Sequence, residues 1–396
     1  STTQGSITLG NSTQVTTSGG RIVMAGTTST EGSAGLIPNG YSYTTAASTG
    51  GVQLGSSDIA TDTNIILSSG GGSITMYGQQ ETSTNAAWGV IIRGGSKIDS
   101  GAGTITIDGK TNSNGGNAVD IESTSANNVK ILSAATTGTA ISIVGTSLSA
   151  APAPGRAIYV GLAGLTVNAS AGGNVSITGT QAGTTATNPG ALYFGGGADI
   201  LASGGTVTID GGAKGIYWTG TVNLGALSGS TAATANISVV ADSINGSPTI
   251  QAKTTGTVVF ESSGASFTSS FSTASLTLSG PTAGLRIGKS GNTGGVTVSG
   301  GAVAVAGPIT IYGGTVSVSS SLTATTNTGD VIISSTSATT AANIAATGNT
   351  GISITATAGA VTIGGTLAVT TSTTGKIWLK ASTNVVTGAS DTMTTN

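Results

Sequence analysis

Apolar and hydroxyl-bearing residues alternate in short runs bracketed by glycine along the whole chain. The runs read Gly5-Ser6-Ile7-Thr8-Leu9-Gly10, Gly72-Ser73-Ile74-Thr75-Met76, Gly103-Thr104-Ile105-Thr106-Ile107, Gly173-Asn174-Val175-Ser176-Ile177, Gly205-Thr206-Val207-Thr208-Ile209 and Gly351-Ile352-Ser353-Ile354. A period of two makes one face of each run apolar and the other polar, as a half-buried strand requires. A strand this short cannot cover its own apolar face, but stacked copies cover one another and build a continuous core along an axis. Helical spacing is scarce, and Gly, Thr and Val are poor helix formers, so the chain is expected to be all-β with almost no α-helix.

Three longer stretches match each other: Trp88 to Gly109, Arg156 to Gly179 and Pro189 to Gly211. Each holds three strands separated by Gly-rich turns, for example Val90-Ile91-Ile92, Lys97-Ile98-Asp99 and Thr104-Ile105-Thr106-Ile107. That arrangement predicts a parallel β-helix, or β-solenoid, with about three short strands per coil. Gly and Asn at the corners are expected to adopt positive φ. Coils of roughly 20 to 25 residues, stacked about 4.8 Å apart, give roughly 16 to 20 coils in an elongated rod. Composition barely changes along the chain, so residues 1–396 read as a single solenoid domain. Pro and small polar residues predict loop insertions near 29–50, 147–155 and 181–189.

Alternation in the first strand places Ile158 and Val160, Leu192 and Phe194, and Ile216 and Trp218 inside. Tyr159, Tyr193 and Tyr217 then face outward at one repeat position. Two readings follow: they pack under a loop or a neighbouring strand face, or they form a contact surface for sugar rings or a protein partner.

Composition narrows the function. Of 396 residues 66 are Gly, yet 37% are hydrophobic and mean hydropathy is +0.26, too apolar for a disordered chain. Charged residues are 7%, against about 25% in typical domains, and the net charge is −2. No basic footprint is present, so nucleic acid is not expected as a partner. Cysteine and histidine are absent, which removes disulfides, thiol nucleophiles and the commonest metal ligand; no cofactor or metal is expected. No apolar stretch approaches the roughly 20 residues of a transmembrane helix. The start at Ser1 suggests processing or a fragment. A hydroxyl-rich, charge-poor surface points to a secreted bacterial product.

Catalytic and ligand-binding patterns are thin. Asp108 and Asp210 share a repeat position before Gly, where Asp commonly stabilises a turn. Asp99 and Asp120 are candidates for a glycosidase pair on adjacent coils, which needs carboxylates about 5 to 10 Å apart. Gly195-Gly196-Gly197-Ala198-Asp199 imitates one unit of a calcium-binding repeat but stands alone. Outward Thr pairs such as Thr104 and Thr106, or Thr206 and Thr208, invite an ice-binding reading. Polar positions elsewhere vary, as at Asn174 and Ser176 or Asn128 and Lys130, and solvated β faces favour Thr anyway.

The phrases Gly103-Thr104-Ile105-Thr106-Ile107-Asp108-Gly109, Gly205-Thr206-Val207-Thr208-Ile209-Asp210-Gly211 and Gly359-Ala360-Val361-Thr362-Ile363-Gly364 resemble the repeat region of filamentous haemagglutinin-like adhesins and autotransporter passengers. The resemblance implies a right-handed parallel β-helix displayed at a bacterial surface as an adhesive or structural fibre. The family's N-terminal secretion motif and a C-terminal membrane barrel are not found. The expected function is therefore a non-enzymatic extracellular stalk or adhesin whose partner is a host or cell-surface glycan or protein. The alternatives are a filament or surface-layer subunit associating end to end through the solenoid ends, and a polysaccharide-active enzyme.

Overall fold

A computed structural model describes residues 6–25, 41–44, 50–55, 64–80, 87–112, 115–123, 128–149, 155–161, 164–183, 190–227, 229–246, 248–370 and 374–395. Among them there is no α-helix, and every strand pairing is parallel, as a parallel β-helix demands. The chain divides into two compact units, residues 1–223 with 245–248, and 224–244 with 249–396.

In the first unit each coil contributes one strand to each of three sheets. Strands Trp88–Arg93, Lys97–Asp99 and Ile105–Thr111 make one coil; Val119–Glu122, Val129–Ser133 and Thr139–Ser147 the next. Ile158–Val160, Leu165–Ala169 and Asn174–Gln181 follow, then Leu192–Phe194, Ala198–Ala202 and Thr206–Gly212. The three matched stretches of sequence are three of these coils. The coil starting at Val119 escaped the pattern because Asp120 stands where its neighbours carry Tyr or Ile, and because its corners are longer.

Stacking is in register, so like side chains lie over like. Ile107, Ile143 and Ile177 share an inner column of the third sheet, and Ile98, Ile131, Val167 and Ile200 one of the second. In the first sheet the inner column grows from Ile121 through Val160 to Phe194 and Trp218, all nearly or fully buried.

The second unit repeats the plan with shorter coils. Its three ladders run through Ile309–Gly313, Val331–Ser335, Gly351–Ala356 and Lys376–Ala381; through Val316–Val318, Thr339–Ala341 and Val361–Ile363; and through Leu322–Ala324, Ile344–Ala346 and Thr366–Val369.

The described residues hold six coils in the first unit and seven in the second, counted on the third sheet and its counterpart, fewer than expected. Coil length explains the difference. Register places Ile74 under Ile105 and Ile105 under Ile141, 31 and 36 residues on, whereas Ile309, Val331 and Ile352 are 22 and 21 apart. The extra residues of the first unit fall between the third and first sheets. The predicted insertions lie largely outside the described residues, at 29–40, 45–49, 150–154 and 184–189. Of their described parts, Ser42–Thr44 is a strand paired with Gly78 to Gln80, and Ser147 and Gln181 end strands.

Corners are built by two devices. Glycine supplies positive φ, as at Gly101 (57°) and Gly205 (67°) between second and third sheets. Asparagine works differently from expectation: among the described residues only Asn64, of the asparagines, has positive φ. Asn117, Asn174, Asn236 and Asn343 instead use Oδ1 to accept the N–H of Arg156, Thr206, Thr257 and Thr366 on the next coil, at 2.8–3.0 Å. Each side chain extends the backbone ladder across a bend where main-chain pairing lapses.

Candidate functional site

The outer column of the first sheet contains the predicted tyrosines and more. Register aligns Gln53, Ile91, Asp120, Tyr159, Tyr193 and Tyr217. All three tyrosines project from the outward face of their strands and are half-buried. Tyr159 and Tyr193 stack with centroids 5.1 Å apart and planes 14° from parallel; Tyr193 and Tyr217 are 5.2 Å apart at 6°. The rung spacing imposes this geometry, since identical side chains on successive coils are separated by nearly one stacking distance. The guanidinium of Arg156 lies 3.7 Å from the centre of the Tyr193 ring and 5.0 Å from that of Tyr159. Neighbouring rings and this cation therefore occupy much of the ring-face area.

Toward the ladder's earlier end the column becomes buried although it faces away from the core. Gln53 is 7% exposed, Ile91 0% and Asp120 1%. Asp120 accepts a 2.7 Å hydrogen bond on Oδ2 from Asn117 Nδ2, and Trp88 also hydrogen-bonds its carboxyl. Its Oδ1 has no hydrogen-bond partner. Burial pushes the Asp120 carboxyl up to about 6, against the opposing pull of the Asn117 bond, Arg93, the Trp88 bond and Arg156. Arg93 pairs with Glu122 and lies over the Trp88 ring at 5.8 Å, while burial draws its own affinity for a proton down. Burial likewise holds the Tyr159 hydroxyl above the ordinary phenol range, so it stays protonated at neutral pH.

A second outward cluster lies on the third sheet. Tyr41 donates to Asp108 Oδ2 at 2.7 Å and tilts against Tyr77, and Lys110 Nζ sits 4.1 Å from the Tyr41 ring centre. Burial raises the Asp108 carboxyl, with Tyr41 and Lys110 opposing. Asp108 and Asp210 do share one column, through Val144 and Thr178. Only Asp210 shows the expected turn bond, accepting from Gly212 N at 2.8 Å.

Asp99 and Asp120 are not brought into one sheet: Asp99 belongs to the second and Asp120 to the first. Asp99 is engaged by Lys97 Nζ and Gly101 N, both at 3.0 Å. Asp199, in the glycine-rich calcium-like phrase, accepts from Asn223 Nδ2 at 2.7 Å. Among the described residues no three His, Cys, Asp or Glu side chains gather as a metal site requires. Thr75, Thr106, Ser142, Ser176 and Thr208 form one outward hydroxyl column, but its neighbour mixes Tyr77, Asp108, Val144, Thr178 and Asp210, so no flat threonine lattice results. Among the described residues no helix is long and apolar enough to cross a membrane.

Sequence reasoning found the tyrosines and missed what surrounds them. The available signal was register: Val119-Asp120-Ile121 occupies the frame of Ile158-Tyr159-Val160, which puts Asp120 beneath the ladder. Comparison with protein-family models, curated proteins and solved structures returned no match.

The buried carboxyl makes stability depend on pH. The folded-state value lies above the ordinary 3.8, so the folded chain prefers protonated Asp120. The associated stability is present below about pH 4 and lost as pH rises through about 6, a difference of roughly 3 kcal/mol. Asp120→Asn is expected to remove that loss. Denaturant titrations of both proteins at pH 4 and pH 7.5 check it, and an unchanged pH dependence in the variant would refute the assignment.

Proposed function

We propose that the chain is a non-enzymatic structural and adhesive solenoid of an extracellular bacterial surface protein. The observation that carries this reading is the use of outward side chains to reinforce coil stacking. Ring stacks at Tyr159, Tyr193 and Tyr217 and asparagine bridges at the corners lie parallel to the backbone ladders and resist separation of coils. A scaffold transmitting force between a cell and a surface needs this property. The charge-poor, hydroxyl-rich composition and the resemblance of the glycine-bounded phrases to adhesin repeats support an extracellular setting.

Beads coated with the purified chain are expected to be retained on cell layers under flow better than albumin-coated beads. Equal retention, or cleavage of a polysaccharide by the chain, would defeat the proposal. Within this reading the tyrosines act by stacking. Tyr193→Ala with Tyr217→Ala removes both stacks and one cation–ring contact, at a cost of roughly 2–4 kcal/mol. Thermal denaturation measures it: a lower melting temperature is expected, whereas unchanged stability with lost attachment would assign the column to direct contact.

A further inference from the structure

The outward face of the second unit's longest ladder carries a different kind of surface on one strand. Strand Lys376–Ala381 alternates so that Lys376, Trp378 and Lys380 project outward while Ile377 and Leu379 turn in. Trp378 is 61% exposed, whereas Trp218 is fully buried and Trp88 half-buried. Register places Ser353 and Thr355 beside Trp378 and Lys380, then Ile332 and Ser334, then Thr310 and Tyr312. Hydroxyls dominate that approach, and each of these side chains is half-buried.

Charge on this unit is distributed unevenly. Glu261 pairs with Arg286 at 2.8 Å, and Asp330 accepts from Thr350 N and Gly351 N at 3.0 and 2.8 Å. Asp242 accepts from Gly264 N and Asp391 from Gly388 N. Every carboxylate side chain of the unit is thus engaged within the protein. Among the described residues Lys376 and Lys380 take part in no ion pair. At about 3.3 Å per residue the two ammonium-bearing positions are about 13 Å apart, with an indole between them.

We propose that this face binds a linear polyuronate, a polysaccharide with a carboxylate on each sugar ring. The flat indole matches the C–H face of a pyranose, which remains uncovered in a uronate because its charge lies on the ring substituent. The two lysines supply point charges for carboxylates on rings either side of the stacked one. Ser353, Thr355 and Ser334 offer hydroxyl partners for the sugar along the next rungs. The proposal rests on the adhesive half of the proposed function and gives it a ligand class.

The test is titration of the whole chain with a polygalacturonate oligomer, with neutral dextran as control. Trp378→Ala and the pair Lys376→Gln with Lys380→Gln are each expected to weaken binding at least tenfold. Because these side chains are exposed, melting temperatures should stay within a degree or two, and affinity should fall with added salt. Equal affinity for dextran, or unchanged binding in Trp378→Ala, overturns the proposal. So does tighter binding to anionic lipid vesicles or duplex DNA than to the uronate. Bead retention that survives Trp378→Ala would sink this site while leaving adhesion standing; uronate binding without bead retention would do the reverse.

Discussion

Trp218→Ala is expected to destabilise the first unit by about 3–5 kcal/mol, the range for truncating a fully buried large aromatic. Trp218 is 0% exposed and tilts against Phe194 at 5.5 Å, so its removal opens a void and deprives Phe194 of its partner. The strand around it is only three residues long, Ile216–Trp218, leaving little backbone to collapse into the gap. Trp218→Phe separates packing from polarity. The indole Nε1 is buried without an acceptor, a defect of about 1–3 kcal/mol that phenylalanine does not carry. The smaller ring leaves some volume unfilled, so the two effects oppose and Trp218→Phe should fall within about 1.5 kcal/mol of the parent. Denaturant unfolding of the three proteins checks both arms. A loss below about 1 kcal/mol in the alanine variant would show that the inner column does not rely on Trp218.

Inside positions were readable because the period-two alternation is almost unbroken: Ile158, Val160, Leu192, Phe194, Ile216 and Trp218 are all buried where the pattern puts them. Outside positions were readable only in direction. That Tyr193 faces outward follows from its neighbours in sequence. That its ring faces meet Tyr159 and Tyr217 depends on register between coils, which local sequence does not encode. The burial of Asp120 and Ile91 on an outward face is a sharper case, since alternation assigns both to solvent and the structure does not. Coil number failed for a related reason. Most copies of the repeating phrase mark the third strand of a coil, while the variable stretch between third and first sheets sets how many residues a coil consumes. Trp378 stands out only in three dimensions, where an exposed indole sits between Lys376 and Lys380 while the unit's acids are engaged elsewhere.

Glycine's meaning also depended on three dimensions, and it carries the second large expected effect. Gly78, Gly109, Gly145 and Gly179 form one register column at the end of the third sheet, facing inward. A Cβ at Gly109 would overlap the Ala118 carbonyl, and at Gly78 and Gly145 the carbonyls of Gly89 and Ala157. The need is for close backbone approach where the chain swings toward the first sheet. The obstacle at Gly109 is main chain, not a movable side-chain tip. The Ala118 oxygen already accepts the Val90 N–H at 2.8 Å, so making room for a Cβ breaks a ladder bond as well as the packing. Gly109→Val is therefore expected to cost about 3 kcal/mol or more, at or beyond the upper end for overpacked cores. Gly10→Ala is the matched control, since a Cβ there meets nothing within 4 Å, and it should change stability by less than about 0.5 kcal/mol. Equal unfolding midpoints for the two variants would mean the corner yields freely, and the glycine column would lose its role in closing the coil.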